Sequence, residues 1–119
     1  MKGKQIVWIC HNKGLFSIVN YVDQNDRRKE TGEVLLRARS KEHIPEVFPK
    51  YASKMRHTPY NDYAYRVRID KDSLSSDLAD LVSDIDYPNF KASVSDRDLL
   101  RIYSNFWSDS FHQFDRTGA

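Results

Sequence analysis

Along the first 70 residues apolar and polar side chains alternate in short bursts, each bounded by turn residues. Ile6 to His11 and Leu15 to Val22 are rich in β-branched and aromatic residues. They flank Asn12-Lys13-Gly14, a turn signal in which glycine is free to take positive φ, so the pattern predicts a hairpin. Asp23 to Gly32 contains no apolar residue and reads as a solvated connection into a third strand, Glu33 to Arg39. After Ser40, the residues Ile44, Val47, Phe48 and Tyr51 fall at the spacing of one helical face, in a helix that Pro45 and Pro49 shorten or bend. Residues 52–61 read as a loop and Asp62 to Asp70 as a fourth strand.

Beyond residue 70 the period lengthens. Leu74, Leu78, Leu81, Val82 and Ile85 form one stripe, while Asp72, Ser73, Ser76, Asp77, Asp80, Ser83 and Asp84 form a solvated face. Asp86-Tyr87-Pro88 ends that helix, because a residue before proline avoids the α region. Ser95-Asp96-Arg97-Asp98 has the character of a new cap, after which Leu99, Tyr103, Phe106, Trp107, Ser110 and Phe114 continue at helical spacing. The expected architecture is a two-layer α+β domain of topology β-β-β-α-β-α-α. Two to three helices would cover one face of a four-stranded, mainly antiparallel sheet of order 3-2-1-4. A right-handed crossover through the first helix would set strands three and four parallel. The other sheet face would stay open.

The 119 residues suit one domain spanning 1–119. The single cysteine, Cys10, has no partner for a disulfide or a Cys-x-x-Cys site and reads as a small buried hydrophobe. The apolar run from Ile6 to Cys10 stops at His11, too short for a signal segment or a membrane span. A reducing cytoplasm and no membrane partner are expected.

A net charge of +2 conceals two opposed halves. Residues 1–69 carry 14 basic and 7 acidic side chains, a net of +7, and residues 70–119 carry 5 basic and 10 acidic, a net of −5. Either the halves attract one another in the fold, or the basic half attracts an anionic partner. Strand phase gives that charge a location. Arg37 and Arg39 share one face of the third strand while Val34, Leu36 and Ala38 take the other. Arg66 and Arg68 share one face of the fourth, opposite Tyr63, Tyr65, Val67 and Ile69. Four guanidinium groups would then share the open face, suited to nucleic acid or a phosphorylated ligand. The stretch KMRHTPYNDYAYRVR, from Lys54 to Arg68, interleaves basic and aromatic residues as single-stranded nucleic acid requires. Phase sends Tyr63 and Tyr65 to the core, however, which leaves His57, Tyr60, Trp8 and Leu35 as ligand-facing candidates.

His11, His43, His57 and His112 sit at no metal-ligand spacing, so no metal site is expected. The four glycines form no Walker loop or dinucleotide turn, and no cofactor is implied. A phosphodiesterase or nuclease could combine His11 or His57 as general acid or base with Arg66 as oxyanion stabiliser and Asp62 orienting the histidine. A non-catalytic binding module is the simpler reading. Phe106, Trp107, Phe111 and Phe114 would pack as helical core or, if the last turns protrude, form a contact for a protein partner or a homodimer.

Several of these segments carry a resemblance: Trp8 with Gly14-Leu15-Phe16-Ser17, Arg37-Ala38-Arg39, Thr58-Pro59 with Asp62-Tyr63-Ala64-Tyr65-Arg66, Ile85-Asp86-Tyr87-Pro88-Asn89-Phe90-Lys91, and Tyr103 with Trp107. Together they resemble a family of small bacterial proteins of unknown function. The resemblance spans most of the chain and implies no activity. The chain departs from it by an extended amino terminus and by the charged stretch Asp23 to Gly32. It directs attention to Asp86, Asn89 and Lys91 in the helix break. Asp86 or Asn89 would cap the following turn; alternatively, Lys91 would join Arg37 and Arg66 at the rim of an anion pocket.

Overall fold

The computed structural model describes residues 6–114, so Lys2 and Lys4 of the basic amino terminus lie outside the described residues. Five strands form one sheet: β1 (Ile6–His11), β2 (Gly14–Asn20), β3 (Glu33–Ala38), β4 (Arg56–His57) and β5 (Tyr65–Asp70). The helices are α1 (His43–Val47), α2 (Lys71–Ser83), α3 (Phe90–Ser93) and α4 (Arg97–Phe114), with a 3-10 helix at Pro49–Lys54. The α+β class read from the sequence is the class of the structure.

The strand order is β1-β2-β3-β5-β4, and every neighbouring pair is antiparallel. This corrects the order 3-2-1-4 and the count of four. The cause is β4, two residues long and without periodicity, inside the segment 52–61 that reads as a loop. The helical connection after β3 does reverse the chain into a strand running in the direction of β3, but that strand is β4. The following strand, β5, then turns back and inserts between β3 and β4, antiparallel to both.

Phe16 and Ile18 of β2, Leu36 and Ala38 of β3, and Val67 and Ile69 of β5 are buried on one face of the sheet. Ile44, Phe48 and Tyr51 cover them together with Leu74 of α2, each large side chain contributing about 1.5–3 kcal/mol by leaving water. Pro49 divides the expected helix into α1 and the 3-10 helix without disturbing this face. The Tyr51 hydroxyl donates to the Asp77 carboxylate, which also pairs with Lys50 at 2.5 Å and fastens the 3-10 helix to α2. Desolvation and the Asp77 charge push the Tyr51 phenol well above its ordinary pKa. Asp70 caps α2, its carboxylate accepting from the amides of Asp72 and Ser73. The apolar stripe of α2 is shorter in the fold than in the sequence. Leu74 is buried and Leu78 and Leu81 are partly so, whereas Val82 and Ile85 are exposed.

A second cluster corrects the expectation that all helices share one face. Val94, Leu99 and Tyr103 are buried together, with Leu15, Phe90 and Leu100 packed around them. Leu15 alternates with Phe16 along β2 and so projects to the opposite side. The α3–α4 unit therefore packs on the arginine-bearing face, at the end near the β1–β2 turn. Asp96 caps α4 by accepting from the Leu99 amide, and Asn89 caps α3 by accepting from the Ala92 amide. The Tyr103 hydroxyl reaches the hairpin and bonds the carbonyls of His11 at 2.8 Å and Gly14 at 3.0 Å. Burial pushes this phenol also well above its ordinary range.

Glycine at position 14 is a matter of space, not of positive φ, which among the described glycines belongs to Gly32 alone. A Cβ at Gly14 would lie 2.6 Å from Phe16 Cζ and 3.1 Å from His43 Cβ. Cys10 is exposed, contrary to its reading as a buried hydrophobe. No helix among the described residues is long and apolar enough to cross a membrane.

Candidate anion-binding face

One row of residues crosses the whole sheet. Trp8 is the Cα partner of Ser17, Ser17 of Arg37, Arg37 of Arg66, and Arg66 of Arg56. Directly opposed residues on neighbouring strands point to the same face, so three guanidinium groups stand side by side there. Like charges in such positions are destabilising, by roughly 0.2–1 kcal/mol per pair.

Protein contacts answer only part of the hydrogen-bonding demand of these groups. Arg37 donates to Ser17 Oγ at 2.7 Å, which satisfies a hydroxyl that is fully buried. Arg66 donates to the Tyr63 carbonyl at 3.2 Å. The Nε atoms of both are buried and meet no acceptor. A buried donor without a partner costs about 1–3 kcal/mol. Among the described residues no ion pair involves Arg37, Arg39, Arg56 or Arg66. The Arg37 pKa is held below its ordinary value by burial and then by the Arg66 charge, with Tyr63 and Asp62 offsetting part of the effect.

Tyr63 corrects the strand phase. It precedes β5, which begins at Tyr65, and the bend there releases it from the alternation. Instead of entering the core, its ring lies 4.6 Å from the Arg37 guanidinium carbon and 4.3 Å from that of Arg39, in cation–π contact with both. Tyr65 keeps the core-side phase and stacks in parallel on His57 at 4.7 Å. Since His57 pairs with Tyr65 and Arg56 with Arg66, His57 projects away from the guanidinium row. His57 and Arg66 thus take opposite faces of the sheet, while His11, the other acid–base candidate, accepts at Nδ1 from the Lys13 amide at 3.0 Å.

The remaining candidates are dispersed. Arg68 belongs to another site: its guanidinium pairs with Glu33 at 2.6 Å and lies over the Tyr21 ring at 4.1 Å. It lines a cavity of about 390 Å³ with residues of the loop 23–31. Tyr60 is fully exposed at the turn closed by the Asn61 amide and the Thr58 carbonyl. Asp86 lines a separate cavity of about 380 Å³ beside Cys10 and His11. Lys91 lies 4.5 Å from the Trp107 ring centre, and no hydrogen bond, ion pair or ring contact among the described residues joins it to the row. Arg56 was the residue that the sequence reading passed over. Its signal lay in the basic and aromatic stretch Lys54–Arg68, but a two-residue strand gives no phase by which to assign a face.

No protein-family model, curated protein or solved structure matches this chain. Function has to be read from the face itself.

Proposed function

We propose that the protein is a non-catalytic binding module that holds an anionic ligand on the row Arg37, Arg66 and Arg56, with Arg39 at its border. The observation that supports this reading most directly is the direct cross-strand opposition of Arg37, Arg66 and Arg56, none of which makes an ion pair among the described residues. Like charges are concentrated there without a compensating carboxylate, and phosphate or carboxylate oxygens at the accessible parts of the guanidinium groups would relieve the repulsion. Ser17 and Tyr63 hold the forks in place, so little side-chain entropy remains to be lost on binding.

Titration with inorganic polyphosphate tests the reading. Affinity is expected to fall about tenfold between about 50 and 200 mM salt, because a few neutralised phosphates release their counterions. Arg56→Glu is expected to lower it further while raising the melting temperature by about 2–5 °C, since an opposite charge then faces Arg66. Absence of polyphosphate binding at low salt would refute the proposal.

A second reading, self-association, is favoured by α4. Its first half is buried through Leu99 and Tyr103, but Ile102, Phe106, Trp107, Phe111 and Phe114 are 46–79% exposed on the continuing helix. The radius of gyration is 16.2 Å, against roughly 13.5 Å for a compact chain of this length. If this face pairs with a second copy, light scattering will give twice the 14.0 kDa chain mass, reverting to the monomer with Phe106→Asp. A monomeric mass at high protein concentration would exclude it.

A further inference from the structure

The row that carries the anion-binding reading also ends on an aromatic side chain, and the ligand class follows from how the two are arranged. Trp8 is 68% exposed and stands in cross-strand line with Ser17, Arg37, Arg66 and Arg56. Five strands at about 4.8 Å spacing set Trp8 and Arg56 roughly 19 Å apart. The cavities of about 390 and 380 Å³ described above are lined by neither Trp8 nor any of these three arginines. A small phosphorylated molecule requires burial of most of its surface, about 70–90%. The row crosses the part of this face away from the β1–β2 turn, where α3 and α4 pack, and its arginines are half-buried to exposed, a shallow arrangement that suits an extended polyanion.

The form of that polyanion is restricted by the width of the platform. The major groove of a DNA duplex is about 12 Å wide and admits a helix or a two-stranded ribbon, not a five-stranded sheet. A duplex would therefore meet this face through phosphates alone and leave Trp8 unused. A single strand can lie across the sheet and turn a base onto an exposed indole.

Resting on the anion-binding reading above, we propose that this face binds single-stranded nucleic acid laid across the β-strands. Phosphates lie along Arg37, Arg66 and Arg56, and a base stacks on Trp8. Arg37 and Arg66 are steadied by Ser17 and Tyr63, and the Trp8 ring supplies a contact that polyphosphate cannot make. Such stacking tolerates any base, so affinity without strong sequence preference is expected.

The experiment uses the full chain carrying Trp107→Phe, in which Trp8 is the only tryptophan. Its fluorescence is followed on titration with a single-stranded oligonucleotide, the matching duplex and inorganic polyphosphate at one salt concentration. The single strand is expected to quench Trp8 and to bind more tightly than the duplex. Adding Trp8→Ala, with binding then followed by anisotropy of labelled ligands, should weaken the single strand about tenfold and leave polyphosphate unchanged. Trp8→Phe should restore most of the loss. Unchanged single-strand affinity in Trp8→Ala, or equal binding of the duplex, would overturn this inference while persistent polyphosphate binding left the anion-binding reading standing. Failure of all three ligands to bind would overturn both.

Discussion

Phe16→Ala is expected to destabilise the protein by about 3–5 kcal/mol, a large share of the roughly 5–15 kcal/mol that holds a domain of this kind folded. Phe16 is fully buried and packs edge-on against Phe48, with ring centres 5.2 Å apart, and against His43 at 6.3 Å. Leu36 and Ile44 beside it are also fully buried. The cavity left by its ring is bordered by the Gly14 backbone and the sheet, neither of which can collapse into it cheaply. Urea unfolding followed by far-UV circular dichroism measures the loss. Tryptophan fluorescence is a poor probe here because Trp8 and Trp107 are both more than half exposed in the folded state. A cost below about 1.5 kcal/mol would show that this cluster is not the principal core.

Arg66→Met is expected to change binding and stability in opposite directions. Arg66 is the middle of the row, opposed by Arg37 on one side and Arg56 on the other. Methionine keeps an apolar stem of similar reach while removing the charge and the buried Nε. Two like-charge pairs and one unsatisfied donor disappear, at the loss of the bond to the Tyr63 carbonyl. The net expectation is about 1 kcal/mol of added stability. Affinity for polyphosphate or a single strand should fall about 10–100-fold, as for loss of a central charge-assisted contact. Arg37 stays in place in this variant, so Ser17 keeps its partner. Joint loss of stability and affinity would instead mark Arg66 as structural.

These expectations depend on features that differed in how far the sequence revealed them. The arginine phase was legible because Leu36, Ala38, Val67 and Ile69 alternate without interruption and each neighbouring arginine must take the other face. Strand neighbours were not. A period of two tells which face a residue takes and says nothing of which strand lies beside it, so the pairing of β3 with β5 was hidden. It mattered, because that pairing turns two separate Arg-x-Arg spacings into direct opposition of Arg37 and Arg66. Tyr63 was misplaced because alternation was extended through a bend. For α4 the spacing correctly indicated an apolar stripe. Whether the stripe would be covered depended on helix length relative to the sheet beneath, and the stripe from Phe106 onward runs past its cover. The opposed half-charges meet in the fold at Lys50 and Asp77 of α2, whereas Arg68 is neutralised within the basic half, by Glu33, so the half-charges alone did not tell which arginines would be left without a carboxylate.

The Tyr103 hydroxyl bonds to carbonyls 92 and 89 residues earlier in the chain, whereas every sheet ladder joins residues within 6–70. Closing so long a span costs more chain entropy than pairing the hairpins, so the ladders are expected to form first and α4 to dock onto a sheet already made. A contact made after the rate-limiting step leaves the folding rate nearly untouched and acts on unfolding. Tyr103 then governs how long the native chain persists, while the strands govern how quickly it is reached.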